Sequence, residues 1–368
     1  MTGRTPLVLD VDTGIDDSLA LLYAAASPDA ELVAVTCCAG NVEARQVAVN
    51  TLAVLELAGR SDVEVALGRE VPLVRPLVTT PETHGPRGLG YAELPEAARP
   101  LSDRHAVEVL IEEARARPGE LTLVTLGPLT NLAVAILREP ELPRLYRRYV
   151  LMGGSYRSPG NTAPTTEWNV NVDPDAAKVV FSAWAAAREN DDDIPRPVAL
   201  GLDVTERAKI TPDHVVALAR TAGSRPDDSL ALARGEDPMQ ATRSVASNPV
   251  VRYVADALRF YMEFHSRYDG FYGAFIHDPL AVAAALDHSL VRTEALAVDV
   301  ELGGTLTTGE TVTDWRRVWG KAPNIDVAVE ADAATFLDRF VERVGRLANE
   351  LAEVQTLTGG SSAEARTG

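Results

Sequence analysis

Four aspartates lie within eight residues near the N-terminus, in the segment Asp10-Val-Asp12-Thr-Gly-Ile-Asp16-Asp17. They follow an apolar run at residues 7–9, which predicts a strand buried on both faces, as in a parallel sheet. Carboxylates at this density repel one another strongly without a cation between them. Hard oxygen ligands of this kind suit calcium or magnesium. The segment therefore predicts a metal site, although Asp16 or Asp17 alone would also suit the N-terminus of the following helix.

Strand and helix patterns alternate through the first half of the chain, and these elements must position the aspartates. Repeated strand–helix units imply a mostly parallel sheet with helices on both faces, so the predicted fold is α/β, a single large domain with a doubly wound, Rossmann-like sheet. Ligands of such sheets bind beyond the carboxyl ends of the strands, where the aspartates and Asn41 fall. The predicted strands are 32–38, 63–67, 121–126 and 149–152, and the predicted helices are 17–27, 43–58, 106–116 and 174–187.

The second half of the chain has longer loops between its elements. Residues 69–102 form a Pro- and Gly-rich loop that contains His84, and a loop of this length is usually functional. Residues 222–249 show little apolar periodicity and are predicted to form a flap or surface insertion. The domain is expected to span residues 1–354, followed by a disordered Gly/Ser/Thr-rich tail at 355–368. The remaining predicted elements are helices 250–264 and 331–351 and strand-like runs 296–302 and 325–329.

Composition and charge exclude several classes of partner. The chain has 368 residues, 46% of them hydrophobic, and a formal net charge of −18. That charge argues against nucleic acid or an anionic membrane as a partner. A leader peptide is not expected from residues 1–6, and no apolar run reaches membrane-spanning length. The two cysteines, Cys37 and Cys38, are adjacent and are expected to be small core residues. The sequence therefore predicts a cytoplasmic protein.

Seven segments together resemble the nucleoside hydrolase family, the inosine-uridine-preferring nucleoside N-ribohydrolases. They occur in the family's order, and the aspartate segment is similar to the family's signature. Thr13 stands where the family usually has proline, and residues 219–270 match poorly, which leaves the preferred base open. The matching segments are 10–17, Gly40-Asn41, His84-Gly85, 127–131, 152–154, 167–169 and 277–279.

The resemblance implies hydrolysis of the N-glycosidic bond of a ribonucleoside, with one calcium ion as cofactor. Asp10 would support the metal ligands from behind and orient them. The implied ligands are the side chains of Asp12, Asp17 and Asp278 and the backbone carbonyl of Leu126. The residues implied around the ribose are Asp16 and Asn169 at the 2′- and 3′-hydroxyls, Asn161 and Glu167 at the 5′-hydroxyl, and Asn41 and Met152 nearby.

Asp12 and His277 are the predicted catalytic residues. Breaking a glycosidic bond builds positive charge on the sugar, an oxocarbenium-like transition state that nearby carboxylates stabilise. Calcium lowers the pKa of a metal-positioned water only moderately, so a carboxylate must take its proton, and Asp12 is the candidate general base. His277 precedes a metal ligand and is suited to protonate the leaving base. Taken alone, His277 would more simply be a buried core histidine.

Other side chains near these segments have open roles. His84 could contact substrate or be exposed to solvent. Trp168 is predicted to stack against the base, whereas the aromatic residues of 268–275 could belong to the pocket or to the core. Asn131 is expected to be structural, within the turn that opens a helix.

Two other functions compete with a nucleosidase. Asp10-Val-Asp12-Thr13 also fits haloacid-dehalogenase-type phosphatases, which use magnesium, but that pattern leaves Asp16, Asp17 and His277 without a role. A calcium-dependent ribosyl-ligand binding protein without turnover is the non-enzyme alternative. In the nucleosidase interpretation the partner is a small-molecule ribonucleoside. Asn41, His84 and His277 favour the broad inosine-uridine group, and the resemblance implies a homodimer or homotetramer.

Overall fold

The central sheet contains eight strands among the residues that the computed structural model describes, which are 3–225 and 243–364, with side chains as far as residue 354. These strands are β1 (Thr5–Val11), β2 (Ala30–Cys37), β3 (Glu64–Leu67), β4 (Thr122–Thr125), β5 (Arg148–Met152), β6 (Val198–Leu200), β9 (Val291–Leu296) and β12 (Ile325–Ala331). Their order is β3-β2-β1-β4-β5-β6-β12-β9, and outside this sheet β7 (Lys209–Ile210) pairs with β8 (Ala274–Phe275). Neighbouring strands are parallel except at one edge, where β9 pairs antiparallel with β12. The predicted α/β fold with a mostly parallel sheet is confirmed.

Helices cover both faces of this sheet. Leu7 and Leu9 of β1 pack into one apolar core and Val8 packs into the other, and all three side chains are fully buried. None of the described helices is both long and apolar enough to cross a membrane. The helices are α1 (Ile15–Ala26), α2 (Ala44–Leu57), α3 (Pro81–His84), α4 (Ala106–Ala116), α5 (Thr130–Arg138), α6 (Leu142–Leu145), α7 (Trp168–Val172), α8 (Pro174–Asn190), α9 (Leu202–Thr205), α10 (Pro212–Thr221), α11 (Pro249–Tyr268), α12 (His277–Leu286) and α13 (Ala333–Glu364).

The strand order reverses between β1 and β4, and this reversal positions the candidate site. From β1 the sheet continues through β2 on one side, whereas the later strands follow from β4 on the other side. The connections after β1 and β4 therefore diverge and leave a crevice at the carboxyl ends. Leu126, just beyond β4, donates its N–H to the carbonyl of Asp10 at 2.8 Å. The aspartate segment and the Leu126 carbonyl thus come to the same edge.

The second half of the chain differs from the sequence prediction in two places. The predicted strand 296–302 is interrupted, because β10 (Val298–Val300) leaves the main sheet and pairs with β11 (Thr311–Thr313). Helix α13 continues to Glu364 through much of the predicted disordered tail, since extending a formed helix costs far less than nucleating one. Most of the predicted flap, residues 226–242, lies outside the described residues. Its last part is buried at Ser244, Ala246 and Asn248.

Candidate active site

A cavity of about 520 Å³ opens at the carboxyl edge of the sheet. Most of the residues predicted to bind substrate or metal line it, although they come from distant parts of the chain. Asp10, Asp12 and Asp17 are fully buried and do not belong to this lining. The predicted residues that line the cavity are Asp16, Asn41, His84, Leu126, Met152, Asn161, Glu167, Trp168, Asn169, His277 and Asp278.

Three carboxylates meet at the bottom of the cavity. Asp16 and Asp17 lie in the first turn of α1, which begins at Ile15 and so two residues earlier than predicted, and Asp278 lies in the first turn of α12. One carboxylate oxygen from each of the three aspartates lies within 4.8 Å of the others. Burial, followed by the charge of Asp17, raises the pKa of Asp16 to about 8. Burial also raises the pKa of Asp278, and Asp16 and Asp17 raise it further. A bound cation would reverse these shifts.

Asp12 has a buried carboxylate oxygen that is available to a cation. Its Oδ2 accepts the N–H of Asn41 at 2.8 Å, whereas Oδ1 has no hydrogen-bond partner in the described part of the chain. Glycines pack against this carboxylate on two sides: a Cβ at Gly40 would lie 2.0 Å from Oδ2, and one at Gly127 would lie 2.8 Å from Cγ. An orphaned oxygen beside further carboxylates is a donor set that fits a hard divalent cation.

Asp17 links this cluster to the turn before α1. Its Oδ1 accepts the N–H of Asp12 at 3.1 Å, and its Oδ2 accepts the N–H of Gly14 at 2.9 Å. The side-chain amide of Asn41 donates to the same Oδ2 at 3.2 Å. The helix-capping alternative is therefore correct for Asp17, which caps α1 and belongs to the acidic cluster at once.

Asp10 is buried within the sheet and is held there by neighbouring side chains. Its Oδ1 accepts hydrogen bonds from Thr36 Oγ1 at 2.6 Å and from Asn131 Nδ2 at 2.8 Å. Asn131 also donates to the carbonyl of Cys37 at 3.0 Å and accepts the N–H of Arg69 at 2.8 Å. Asn131 therefore does more than open α5, because it fastens the ends of three segments around Asp10.

Replacing Asn131 with alanine is expected to destabilise the fold by about 1–3 kcal/mol, because buried partners of its amide lose their hydrogen bonds. Urea unfolding monitored by circular dichroism measures this loss. Asn190→Ala is the matched control, since Asn190 is exposed and makes one bond, to the carbonyl of Ala186 on its own helix. Equal unfolding midpoints for the two variants would contradict the structural role.

Two of the side chains predicted around the ribose, Glu167 and Asn161, accept hydrogen bonds from backbone N–H groups. Both oxygens of Glu167 accept backbone N–H groups, from Asn169 at 2.8 Å and from Gly154 at 2.8 Å. Asn161 Oδ1 accepts the N–H of Trp168 at 3.0 Å. These bonds fix the orientation of the polar groups and leave acceptor capacity toward the cavity.

Asn169 also contacts the predicted metal-ligating carbonyl. Its Nδ2 donates to the carbonyl of Leu126 at 2.6 Å and lies 3.4 Å from both the carbonyl and the sulfur of Met152. The Leu126 carbonyl therefore already accepts one hydrogen bond, and its second lone pair is the one left for a cation.

His84 and His277 both line the cavity. His84 is buried and not exposed to solvent, and its Nδ1 accepts the N–H of Ile15 at 3.1 Å and lies 4.0 Å from Asp16 Oδ1. His277 Nδ1 lies 2.8 Å from the hydroxyl of Thr205. Burial, followed by the charge of the neighbouring His265, lowers the pKa of each imidazole to about 3. Both rings therefore present neutral nitrogens to a ligand.

Sequence reasoning missed part of the cavity wall. Trp168, which was predicted to stack against the base, lines the cavity, and Tyr268 and Phe275 line it from the aromatic segment whose role was open. The residues not predicted are Thr80, Glu82, Thr83, Gly160, Thr162, Glu206, Tyr261, Phe264, His265 and Asp269. The signal that could have found Tyr261 and His265 is their spacing of four on one helix, directly before the aromatic segment.

If Asp12 belongs to a cation site, replacing Gly40 with alanine is expected to weaken cation binding by about 10–100-fold, the usual effect of disturbing a group that orients a metal ligand. The added methyl would collide with Asp12 Oδ2 and break its bond to Asn41. Isothermal titration with calcium measures the effect. Gly303→Ala is the control, because the closest atom to its added Cβ would be 3.6 Å away. Unchanged affinity in Gly40→Ala would show that Asp12 is not held as described.

Known proteins resemble this chain along nearly its whole length. The inosine-uridine preferring nucleoside hydrolase family profile matches residues 7–338. The pyrimidine-specific ribonucleoside hydrolase RihA of Enterobacter sp. (strain 638) is 36% identical over 342 residues, covering 93% of this chain and 98% of RihA. The purine-preferring ribonucleoside hydrolase from Gardnerella vaginalis superposes with a TM-score of 0.80 at 31% identity, covering 94% of this chain and 99% of that one. The plant nucleoside hydrolase PpNRh1 gives a TM-score of 0.79 at 28% identity, covering 93% and 99%.

The sheet, its acidic crevice and these relatives together define an N-glycosyl hydrolase that acts on ribonucleosides. The chain belongs to the inosine-uridine preferring nucleoside hydrolase family. The family resemblance of the seven segments is therefore confirmed, and the phosphatase alternative is excluded.

Proposed function

We propose that this enzyme hydrolyses ribonucleosides to free base and ribose with one calcium ion as cofactor. We also propose that pyrimidine ribonucleosides are its preferred substrates. The observation that best supports calcium is the unpartnered buried oxygen of Asp12 beside the cluster of Asp16, Asp17 and Asp278. Buried carboxylates with raised pKa values need a compensating charge, and oxygen donors favour calcium over softer metals.

Asp12, Asp17, Asp278 and the Leu126 carbonyl would hold the ion. When bound, calcium supplies positive charge that orients the sugar hydroxyls and acidifies a water molecule moderately. Asp16 and Asn169 would bind the 2′- and 3′-hydroxyls from the adjoining wall. Asn161 and Glu167 would bind the 5′-hydroxyl, with Asn41 and Met152 beside them.

Asp12 and His277 are the catalytic residues of this proposal. Asp12 accepts a proton from the attacking water as the water oxygen bonds to C1′ of the ribose. The bond from C1′ to the base breaks, and its electron pair goes to the base nitrogen. His277, which is neutral in the ligand-free site, takes up a proton from solvent and supplies it to that nitrogen, and Asp12 afterwards releases its proton to solvent. The buried carboxylates stabilise the positive charge that builds on the sugar.

The choice of base follows from the relatives. RihA, at 36% identity, is pyrimidine-specific, whereas the Gardnerella enzyme, at 31%, is purine-preferring. We place uridine and cytidine first on that ground. Inosine is the second candidate, because Asn41, His84 and His277 favour the broader inosine-uridine group.

Purified protein is expected to release reducing sugar from uridine or cytidine, to lose this activity in EDTA and to regain it with calcium. A panel with inosine and adenosine ranks the bases. Calcium at a 100-fold excess over its Kd should also stabilise the fold by about 2.7 kcal/mol, which thermal unfolding measures without turnover. Ribose release that persists after full chelation would contradict calcium dependence, and stoichiometric binding without any ribose release would contradict the proposed substrates.

Assembly and location remain predictions. A homodimer or homotetramer is expected, and gel filtration with light scattering measures the mass of the particle directly. Cytoplasmic location is expected as well, and fractionation of cells that express the full chain tests it.

A further inference from the structure

His265 is a buried polar residue of the cavity that the proposed mechanism does not use. It lies in the last turns of α11, lines the cavity, and is only 4% exposed. Its Nε2 has no hydrogen-bond partner within the described part of the chain. A buried ring nitrogen without a partner costs free energy unless a ligand or water satisfies it.

Asp269 fixes the orientation of this imidazole. Its Oδ2 lies 2.7 Å from His265 Nδ1, and its backbone N–H donates to the carbonyl of His265 at 2.8 Å. A carboxylate can only accept, so Nδ1 bears the proton and donates. Burial lowers the pKa of His265, against the raising effect of Asp269, so the ring is neutral near pH 7. Nε2 therefore presents a lone pair and acts as an acceptor.

Ring contacts place His265 at the end of the cavity away from the metal cluster. His84 lies beside Asp16, Tyr261 lies 5.4 Å from His84 between ring centroids, and His265 lies 4.7 Å beyond Tyr261. On the other side, Phe275 lies 4.8 Å from His265 and 5.9 Å from His277. A nucleoside with its sugar at the aspartates would extend its base toward these rings, with its far edge toward His265.

The charges at the His265 end of the cavity also favour hydrogen-bond donors on the bound base. Glu206 and Asp269 both line the cavity, and the charge of Asp269 contributes to the raised pKa of Glu206 after burial. Lysine and arginine are absent from the described cavity lining. Two cations lie next to the lining but outside it: Lys209 lies over the rings of Phe271 and Phe275, and Arg267 lies over the ring of Tyr268. A keto oxygen would meet acceptors and negative charge here, whereas an amino group would meet suitable partners.

We infer that His265, oriented by Asp269, selects the nucleobase by accepting a hydrogen bond from its exocyclic amino group. The site therefore favours amino bases over their keto counterparts, cytosine over uracil and adenine over hypoxanthine. This inference rests on the proposed function, since it requires a nucleoside in the cavity. His265 is a specificity-determining residue and takes no part in bond breaking.

Binding of carbocyclic cytidine and carbocyclic uridine to the calcium-loaded full-length protein tests this. These analogues have a methylene in place of the ring oxygen, so they cannot form the oxocarbenium-like charge and resist hydrolysis. Isothermal titration is expected to show that the cytidine analogue binds more tightly than the uridine analogue. The two dissociation constants should differ on the order of tenfold, which is the usual effect of one buried hydrogen bond. His265→Phe, which retains an aromatic ring, is expected to bring the two dissociation constants to near equality.

Further variants distinguish loss of the hydrogen bond to the base from a change in the shape of the cavity. His265→Gln retains an acceptor and should restore part of the preference. Asp269→Asn can donate to Nδ1, which moves the ring proton to Nε2 and should lower or reverse the preference for the amino base. His288→Phe replaces an exposed histidine away from the cavity and should leave the preference unchanged.

The outcomes distinguish this inference from the proposed function. Equal binding of the two analogues by the unmodified protein, or an unchanged preference in His265→Phe, overturns the role of His265. A preference that depends on His265, in a protein that releases no ribose, supports that role and overturns the proposed hydrolysis instead.

Discussion

Replacing Asp12 with alanine is expected to lower kcat by at least about 10³-fold and to weaken calcium binding in the same protein. The side chain is assigned two tasks, one as the base that takes the proton of water and one as a ligand of the ion. Its environment supports both tasks, because one oxygen is held by the N–H of Asn41 and the other has no partner among the described residues. Ribose release and isothermal titration with calcium measure the two effects separately.

The substitution Asp12→Asn distinguishes the role of Asp12 as a base from its role as a metal ligand. Asp12→Asn retains the shape and one oxygen, so it should bind calcium better than Asp12→Ala while remaining nearly inactive. Asp192→Asn is the matched control, since its side chain is 97% exposed and belongs to a surface pair with Arg188. Thermal unfolding identifies a variant that has failed to fold. Substantial turnover in folded, calcium-loaded Asp12→Asn would show that another group is the base.

The local sequence was sufficient to predict most strands of the central sheet. The apolar run of β1 indicates burial on both faces, and its alternating residues do enter two different cores. Alternation of strands and helices then implies a parallel sheet, whose carboxyl edge collects the loops. The same reasoning fails at residues 296–302, because apolar character does not say which sheet a strand joins. There, β10 pairs with β11 instead of extending β9.

The candidate site was predictable where its residues are close in sequence or belong to a known motif. The aspartates at β1 and α1 can be recognised from the sequence alone, because four of them occur within eight residues. Asn131 and Asp10 are 121 residues apart, and only the folded sheet shows that their side chains meet. His265 and Asp269 lie in a segment that matches the family poorly, and their place at the cavity depends on how α11 packs. Side-chain convergence of this kind has no local signature.

Replacing His277 with alanine is expected to lower kcat/KM for uridine or inosine by about 10²–10⁴-fold, the usual contribution of a general acid. The loss on p-nitrophenyl riboside should be far smaller, because nitrophenolate leaves without needing a proton. His277 lines the cavity and precedes Asp278, and Thr205 holds its Nδ1 at 2.8 Å. That contact occupies Nδ1, so the proposed proton donor is the other ring nitrogen.

The ratio of the two losses distinguishes a catalytic role from a structural one. Thr205→Val removes the hydroxyl that orients the ring and should produce a smaller loss with the same dependence on leaving group. Calcium titration of both variants shows whether the neighbouring Asp278 still binds the ion. Equal losses on natural and activated substrates, with calcium affinity lowered in parallel, would make His277 a support for Asp278. A selective loss on natural nucleosides at unchanged calcium affinity assigns the proton of the leaving base to His277.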